Sequence, residues 1–440
     1  MEDTILRRTW AEIDLDALEH NYNVARQKIG PNVKYLGVVK ADAYGHGAVQ
    51  IARKLEQLGA DYLAVSSLDE ARELRHGGIS MPILILGHTP PEMVPQLISY
   101  HITQAVSAMA KAEEYSAEAQ KCGGTLRVHI KVDTGMSRLG FLVRGEHFEG
   151  GVNAIAESCA LPGLDPEGIF THFAVSDMDG AEYEDYTRDQ FGVFTRVLDA
   201  LAAKGRTFRI RHCANSGALT RYPEMYLDMV RPGIALYGVL SAPGDATTAV
   251  LPLRPVLSLR ARVSQLHTLA AGEAAGYDGA YTAHRPTVLA TLSIGYADGW
   301  PRTLSNGAGR VLLHGRTAPI VGLICMDQLL VDVTDMEGVA PRRYRHSHWP
   351  GRGRRPYRRG GRPGGRRPVP GRLPQRGDQR APRRPARVLL HYFLRIKRRN
   401  GAAGPPRFFD KGESYAVFVL SQVLHLPEGE GVAAGARRGV

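Results

Sequence analysis

The sequence predicts an α/β fold: a closed (β/α)8 barrel of the TIM type, followed by a mostly-β C-terminal domain. Short apolar runs alternate with amphipathic segments from residue 12 to residue 240, as in a parallel sheet covered by helices. Eight such runs fall within about 230 residues, which is the number that closes a barrel. After residue 245 the runs become β-branched and are separated by glycine, with little helical periodicity.

The predicted strands divide the chain into segments. The eight barrel strands are expected at 36–39, 62–65, 83–86, 102–106, 128–132, 168–172, 209–212 and 231–234, and strands of the second domain at 286–294, 310–313 and 319–323. We therefore expect a barrel at 12–240, preceded by residues 1–11, and a β domain at 245–338. They are followed by an aberrant Arg/Gly/Pro-rich segment at 339–400, which we expect to be disordered, and by a tail at 401–440 whose structure the sequence does not predict.

Composition excludes several classes of protein. A chain of 440 residues with 43% hydrophobic and 23% charged residues is typical of a globular protein with two or three domains. No apolar run has the length of a transmembrane helix, and the N-terminus lacks the features of a signal peptide. The four cysteines show neither disulfide nor metal-ligand spacing. We expect a cytoplasmic protein with reduced thiols, no membrane partner and no metal site.

The net charge of +12 is concentrated in one segment. Residues 342–399 hold 21 Lys and Arg against the single acid Asp378. The rest of the chain is therefore net acidic by about eight charges. The segment interrupts the β domain instead of following a linker, and Arg, Gly and Pro dominate when GC-rich coding sequence is read out of frame. We therefore expect a frameshift near Pro341 rather than an evolved arm that binds nucleic acid.

Lys40 is the strongest candidate for a catalytic residue. It follows the first predicted strand, within the sequence VVKADAYGHG at 38–47. An amine whose stem packs beside a buried strand is desolvated, which lowers its pKa and leaves a neutral amine able to form a Schiff base. The glycine-containing turn after Lys40 allows a phosphate or a carboxylate to approach the backbone.

This decapeptide resembles the cofactor-lysine motif of alanine racemases, and further motifs of that family follow in family order over residues 7–335. They are HIKVDTGMSRLG at 129–140, THFA at 171–174, HCANSGA at 212–218, VRPGI at 230–234, GY at 276–277, IGYADG at 294–299 and CMDQ at 325–328. The resemblance implies a fold type III enzyme that uses pyridoxal 5'-phosphate to interconvert L-alanine and D-alanine. Such an enzyme supplies D-alanine for peptidoglycan. The resemblance also implies that residues 1–11 join residues 245–338 in the β domain, which is truncated relative to the family.

By resemblance, two residues act as bases on opposite faces of the substrate. Lys40 matches the lysine that forms the Schiff base and exchanges the proton of the D-enantiomer. Tyr277 matches the tyrosine that serves the L-enantiomer, and in the family this tyrosine comes from the partner subunit. The resemblance therefore implies a head-to-tail homodimer with shared active sites.

Other matched positions surround the cofactor and the substrate. Arg231 matches the arginine that faces the pyridine nitrogen, where a guanidinium that keeps its proton limits transamination. His212 matches the residue that orients this arginine. Arg138 matches the arginine near the phenolic oxygen and the substrate carboxylate, and Lys131 matches a lysine that many members carry as a carbamate.

The resemblance also assigns the phosphate site and the route of the substrate. Tyr44, Ser216, Gly233 and Ile234 match the phosphate cradle. His172 and Asn215 match neighbours of the pyridine ring. The substrate-binding positions that the other subunit donates correspond to Tyr296, Met326 and Asp327.

One family feature is missing. The family's Thr-Ile-Asn/Ser-Tyr-Glu segment, whose tyrosine contacts the phosphate, does not occur after Val339. We therefore expect weaker cofactor binding and a less stable dimer than in other members.

Several alternatives share part of this evidence. A serine racemase, or another amino-acid racemase of the family, would carry the same motifs. An amino-acid decarboxylase of the same fold type normally pairs the ring nitrogen with an acid, which Arg231 is not. A pyridoxal-phosphate carrier protein is usually a lone barrel, without the domain that bears Tyr277. A catalytically impaired chain that binds nucleic acid non-specifically through residues 342–399 would show salt-dependent binding.

Amide hydrogen exchange tests the frameshift interpretation. Residues 342–387 contain 17 arginines and few aliphatic residues. Such a composition does not offset the entropy cost of ordering a chain, so these amides are expected to exchange without measurable protection. Strong protection throughout the segment, in a chain with full racemase activity, would show that the segment is a folded element.

Overall fold

The computed structural model of the protein describes residues 8–239 and 251–341, together with the backbone of one strand at 415–419. The first part contains a parallel barrel surrounded by helices. Its strands are β1 (Thr9–Ile13), β2 (Lys34–Val38), β3 (Tyr62–Val65), β4 (Ile83–Ile85), β5 (Ile102–Val106), β6 (Leu126–Asp133), β7 (Phe141–Leu142), β8 (Leu164–Phe170), β9 (Ile210–His212) and β10 (Met229–Val230).

Eight of these strands form the barrel in the order β10-β2-β3-β4-β5-β6-β8-β9, and the short β7 pairs with β6. The two ends of the sheet meet through backbone hydrogen bonds. The N–H of Asp228 donates to the carbonyl of Arg211 at 3.0 Å, and that of Arg231 donates to the carbonyl of Ala214 at 2.9 Å. The predicted (β/α)8 fold is therefore confirmed. The eighth strand lies at 229–230, earlier than the predicted 231–234, because residues from Arg231 onward turn into a 3-10 helix at Ile234–Tyr237.

The helices cover the outside of the barrel. In chain order the helical segments are α1 (Leu15–Ile29), α2 (Lys40–Tyr44), α3 (Ala48–Gln57), α4 (Leu68–His76), α5 (Val94–Ser99), α6 (Met109–Lys121), α7 (Phe148–Ser158), α8 (Ala181–Ala203) and α9 (Ser216–Arg221). Of these, α2 is a left-handed turn at the carboxyl end of β2 and not part of the outer layer. Local sequence determines where several of them begin. Asp14 accepts hydrogen bonds from the first turn of α1, and Ser67 caps α4.

The barrel strands are buried on both faces. Their outward side chains, such as Leu63, Ile83 and Ile130, pack against the helices in the largest core cluster. Inward side chains form a smaller cluster that includes Leu36, Tyr62 and other residues from neighbouring strands. Because both faces are buried, the strands have continuous apolar runs in the sequence instead of an alternation of apolar and polar residues.

The second part is an antiparallel sheet. Its strands are β11 (Leu257–Leu269), β12 (Ala274–Ala275), β13 (Tyr281–Thr282), β14 (Thr287–Leu292), β15 (Arg310–Leu313), β16 (Arg316–Val321), β17 (Leu329–Asp332) and β18 (Tyr415–Val419), of which β12 and β13 form a separate hairpin. The N-terminal strand β1 pairs antiparallel with β11, so it joins this sheet and extends past residue 11, to Ile13.

Strand β18 lies in the segment 401–440, whose structure the sequence left open. It pairs antiparallel with both β11 and β15, so the strands in the order β11-β14-β17-β16-β15-β18 form a closed ring. The Arg/Gly/Pro-rich residues 342–399 lie outside the described residues, so the expected frameshift and the expected non-specific binding of nucleic acid stay predictions. In the described part of the chain, no helix combines the length and the apolar character needed to span a membrane.

Candidate active site

The turn that carries Lys40 has an unusual backbone. Four successive non-glycine residues at 41–44 have φ between 53° and 55°, in the left-handed region. Each such residue costs roughly 1–2 kcal/mol relative to a right-handed turn. Specific hydrogen bonds oppose this cost: the N–H of Ala41 donates to Glu70 at 2.8 Å, and that of Ala43 donates to the carbonyl of Val39 at 2.8 Å. The strained turn holds Lys40 at the carboxyl end of β2.

Lys40 has the electrostatic surroundings expected of a reactive amine. Burial lowers the pKa of its ammonium group, and the charge of Arg138 lowers it further, whereas Glu70 acts in the opposite direction. A lysine with a lowered pKa has a larger neutral fraction near neutral pH and is a better nucleophile. The structure therefore supports the chemical argument drawn from the sequence.

Four cations come together at the mouth of the barrel. Burial lowers the pKa of Lys131 to about 8, and Arg138, Arg231 and Lys40 add to this effect. The same four cations, together with burial, hold the pKa of His172 well below its ordinary value. The small pocket here is lined by Lys131, Asp133, Met136, Arg138 and His172, among others. A concentration of positive charge of this kind suits a ligand with several negative charges.

Arg231 is held in a fixed orientation. Its side chain is buried, with 4% of its surface exposed. One guanidinium nitrogen donates to His212 Nδ1 at 2.9 Å, and the other donates to the carbonyl of Thr171 at 2.8 Å and lies 3.2 Å from His172 Nδ1. Burial lowers the pKa of Arg231 to about 10, which still leaves the group protonated at neutral pH. The structure thus brings Arg231, His212 and His172 together.

A second group of residues forms a cradle beside the Lys40 turn. The Ser216 hydroxyl accepts hydrogen bonds from the N–H groups of Gly233 at 3.0 Å and Ala235 at 3.3 Å. A Cβ atom on Gly233 would lie only 2.8 Å from the Tyr44 hydroxyl oxygen, so the glycine keeps this space open. Burial raises the pKa of Tyr44 to about 12, which keeps its O–H as a donor. Ile234 begins the 3-10 helix next to the cradle.

Asn215 has a structural role at this point. Its side-chain oxygen accepts a hydrogen bond from the N–H of Ala218 at 3.0 Å, and so caps α9, and it also accepts one from the Ser176 hydroxyl at 2.6 Å. These contacts position Ser216, the first residue of the helix. The donors at Tyr44 and the Ser216 region, together with the four cations, fit a phosphate-bearing cofactor and a substrate carboxylate.

The remaining predicted residues lie in the second domain, on exposed loops. Tyr277 has 66% of its surface exposed and Met326 has 58%. The backbone N–H of Tyr296 donates to the carbonyl of Cys325 at 3.0 Å, which joins its loop to the one that carries Met326 and Asp327. Within the described residues, the Tyr277 side chain makes no hydrogen bond or ring contact with the barrel residues. In the described residues of a single chain, no such contact joins Tyr277 to the site of Lys40.

The structure also shows polar residues that the sequence did not single out for a role. Glu70 anchors the Lys40 turn, and the Phe170 ring stacks on His212 with ring centroids 4.8 Å apart. His129 lies within the barrel against His212, with Glu167 and Tyr62 below it. Glu167 is one residue before a glycine in an otherwise ordinary strand, and no motif marks it. Among the residues described, no three His, Cys, Asp or Glu side chains gather as metal ligands.

These features define a class of protein: a parallel α/β barrel enzyme with a reactive lysine at the end of a strand and a cationic site for an anionic cofactor. The family description "Alanine racemase, N-terminal domain" matches residues 13–241, and "Alanine racemase, C-terminal domain" matches residues 256–344. The chain belongs to the alanine racemase family, whose members are isomerases. The resemblance stated from the motifs is thereby confirmed.

Individual relatives agree with this assignment. The alanine racemase of Desulforamulus reducens is 45% identical over 324 residues, which cover 74% of this chain and 85% of that protein. The structure of alanine racemase from Clostridium difficile 630 matches with a TM-score of 0.68 at 39% identity, over 75% of this chain and 83% of that one. A Bartonella henselae alanine racemase with covalently bound pyridoxal phosphate matches with a TM-score of 0.66 at 33% identity, over 76% and 89%.

The lowered pKa of Lys131 predicts how stability depends on pH. Between the folded pKa of about 8 and the ordinary value of 10.5, the unfolded chain binds more protons than the folded one, so stability rises with pH. In CO2-free buffer, the free energy of unfolding of the wild type should gain roughly 2 kcal/mol relative to Lys131→Met across this window. Urea unfolding measures the difference.

The variant Lys121→Met controls for the loss of a lysine at an exposed position, where the side chain pairs with Glu118 on the outside of α6. Parallel stability curves for the wild type and Lys131→Met from pH 8 to 10.5 would contradict the burial of a protonatable amine at this site.

Proposed function

We propose that this chain racemises alanine with pyridoxal phosphate held at the mouth of its barrel, and that Lys40 and Tyr277 are the two catalytic residues. The observation that carries the proposal is the convergence of Lys40, its strained turn, three further cations and the Ser216 cradle on the carboxyl ends of the barrel strands. Catalytic residues of such barrels gather at this end.

Pyridoxal phosphate, when bound, supplies the electron sink that makes the α-proton of an amino acid removable. The chain supplies the rest. Lys40 holds the cofactor through its amine, and the lowered pKa of that amine lets Nζ accept and return a proton on one face of the substrate. Tyr277 provides a hydroxyl that does the same on the opposite face. Two bases are needed because a racemase must remove a proton from one face and return it to the other.

The cradle and the cations divide the work of binding. The Tyr44 hydroxyl and the backbone around Ser216, Gly233 and Ile234 hold the phosphate, where hydroxyl and N–H donors suit a dianion. Arg138 binds the phenolic oxygen and the substrate carboxylate. His172, which contacts Arg231, lies beside the site of the pyridine ring. Asn215 caps the helix that carries Ser216 and so fixes its position.

Arg231 controls which reaction occurs. Its guanidinium donates to His212 and to the carbonyls of Thr171 and Cys213, which hold it as a fixed cation. A donor that keeps its own proton at neutral pH leaves the pyridine nitrogen without one, which disfavours transamination as a side reaction. A decarboxylase that protonates this nitrogen needs an acid in the same place, and the residue that we propose for that place is Arg231.

Lys131 is suited to carbamylation. Its amine is buried, with 6% of the residue exposed, and the pKa of about 8 leaves a substantial neutral fraction. In the modification, Nζ attacks the carbon of CO2, an N–C bond forms and the nitrogen loses a proton. The product is an anion among the cations Arg138, Arg231 and Lys40, and it would hold Arg138 by a charge-assisted hydrogen bond.

The active unit that we propose is a head-to-tail homodimer in which Tyr277 enters the site of the other subunit. Most of the exposed large apolar side chains fall into two groups. Leu139 and Leu142 lie near the barrel mouth, and Tyr277, Tyr296 and Met326 lie on the second domain. If each group covers the other in the second subunit, Tyr296, Met326 and Asp327 would line the approach of the substrate. The pairing is self-complementary, as a twofold dimer requires.

We further propose a cytoplasmic location and alanine as the physiological substrate. Free cysteines at all four positions agree with a reducing compartment. Serine racemisation is the nearest alternative, because the same cradle and cations would bind either amino acid.

Isotope exchange tests the assignment of the two bases. Tyr277→Phe keeps the ring but removes the hydroxyl that transfers the proton. In deuterium oxide, the loss of the α-hydrogen from L-alanine should fall by at least about a hundredfold, the usual scale of acid–base catalysis, while the loss from D-alanine falls much less. Proton NMR of the substrate measures both rates. Equal losses from the two enantiomers would contradict the assignment.

Mixing two inactive variants tests the shared site. In a mixed dimer of Lys40→Ala and Tyr277→Phe chains, one site combines the intact Lys40 of one subunit with the intact Tyr277 of the other. An equimolar mixture that re-assorts at random should therefore recover about a quarter of wild-type racemase activity. Mixed dimers that form, as shown by differently tagged subunits, but recover no activity would mean that Tyr277 does not act across the interface.

A further inference from the structure

A chain of polar side chains runs through the barrel interior, away from the site, starting at Arg231. Arg231 donates to His212 Nδ1 at 2.9 Å, and His212 Nε2 lies 2.9 Å from His129 Nδ1. His129 Nε2 lies 3.4 Å from the Glu167 carboxylate, which also accepts from the Tyr62 hydroxyl at 2.5 Å. His129 and His212 are fully buried.

The two ends of this chain fix its direction. Arginine can only donate, so His212 Nδ1 must accept and its single proton must be on Nε2. That proton donates to His129 Nδ1, and His129 must then carry its own proton on Nε2, facing Glu167. A carboxylate can only accept. Every hydrogen bond in the series is therefore donated in the same direction, from Arg231 toward Glu167. The tautomer of each histidine follows from its two neighbours.

The charge states agree with this assignment. Burial, followed by the charges of Arg231 and His129, holds the pKa of His212 well below its ordinary value, and burial also lowers that of His129, although Glu167 opposes this. Both rings are therefore neutral and have one proton each. Burial acts to raise the pKa of Glu167, but the hydrogen bonds from His129 and Tyr62 and the charge of Arg127 hold it at about 2, so the acceptor is a carboxylate.

An irregularity in β8 puts Glu167 in place. The register between β6 and β8 passes from Val128 opposite Pro166 to His129 opposite Gly168, so Glu167 is the extra residue of a β-bulge. A bulge re-aims the side chain that it carries. The next residue, Gly168, makes room for the His129 ring, because a Cβ there would lie within 2.6–2.8 Å of three of its atoms. Two local departures from a regular strand thus serve the same contact.

We propose that Glu167 and His129 are positioning residues of the racemase, acting through His212 to orient and polarise Arg231. The inference rests on the proposed function, since it concerns the arginine that faces the cofactor. His129 and His212 each donate a hydrogen bond in the direction of the Glu167 carboxylate. Each ring therefore becomes a better acceptor on its other nitrogen, which accepts from His212 in one case and from Arg231 in the other. The carboxylate near the far end of the barrel therefore strengthens the hydrogen bond that holds Arg231, without any proton leaving its atom.

The ordinary alternative is that these groups only satisfy one another in a polar core. Two carboxylates near the base of the barrel allow the positioning role to be distinguished from a purely structural one. Glu167 and Asp165 both pair with Arg127 and Arg209, at distances from 3.3 to 3.8 Å, but among these contacts only Glu167 reaches His129. Glu167→Gln removes the negative charge at the end of the hydrogen-bonded series that leads to Arg231. Asp165→Asn removes a negative charge that pairs with the same two arginines, but it leaves that series of hydrogen bonds intact.

The test uses the full-length protein with pyridoxal phosphate bound and 15N-labelled histidine. In the wild type, nitrogen NMR should show His129 and His212 protonated on Nε2, with each signal assigned by its loss in His129→Gln or His212→Gln. Glu167→Gln should shift both Nε2–H signals toward weaker hydrogen bonding. It should also lower kcat about tenfold with little change in the KM for alanine, the scale expected for losing a hydrogen bond to a charged group.

Tyr62→Phe provides a second arm that keeps the carboxylate. Loss of the tyrosine hydrogen bond leaves more charge available to His129, so its Nε2–H signal should move in the opposite direction, which a merely structural role does not predict. Asp165→Asn should leave both signals and kcat unchanged.

Protonation of His212 on Nδ1 in the wild type would overturn the proposal. So would a Glu167→Gln protein whose His212 signal and kcat match those of Asp165→Asn. If Glu167→Gln fails to fold, the direction of the shift in Tyr62→Phe decides. The histidine signals are read without alanine, so a wild type with the expected tautomers but no racemase activity would contradict only the proposed function.

Discussion

The structure depends on the convergence of four cations at one end of a parallel barrel, where Lys131 and Arg231 are buried, Lys40 is half-buried and Arg138 is exposed. Burial lowers the pKa values of Lys40, Lys131 and Arg231, and neighbouring cations lower those of Lys40 and Lys131 further. Such a cluster is unfavourable on its own and becomes favourable when it binds anions. The same arrangement enlarges the neutral fraction of the Lys40 amine and gives Lys131 a pKa of about 8, which suits modification.

The turn after β2, strand β10 and the second domain determine where the residues of the site lie. The left-handed turn at 41–44, anchored by Glu70, points the chain from β2 past Lys40 and toward the cradle. The short β10 brings Arg231 to the open end of the barrel, and the backbone after it meets Ser216 through Gly233. The second domain contributes exposed loops, and the function proposed for them requires a second subunit. Catalysis in this account is therefore a property of the dimer.

The sequence predicted those parts of the fold and site that depend on local pattern. Lys40 was identifiable because of the motif around it: a lysine after a strand is by itself most often a solvated charge, but the decapeptide and the ordered motifs identified the family. The bulge at Glu167 was not predictable, because one extra residue breaks the alternation on which the assignment of inward side chains rests. The proposed role of Tyr277 rests on resemblance, since its environment would come from another chain. Strand β18 was missed because its partners, β11 and β15, lie more than a hundred residues away.

The most direct test of the account is the Lys40→Ala variant, measured by visible absorbance after addition of pyridoxal phosphate and by interconversion of D-alanine and L-alanine. Lys34→Ala is the matched control, because Lys34 lies at the other end of the same strand and pairs with Asp61 on the surface. The account predicts that the control keeps both signals and that Lys40→Ala loses both. A Lys40→Ala protein that still shows the absorbance of lysine-bound cofactor, or still racemises alanine at the wild-type rate, would contradict it.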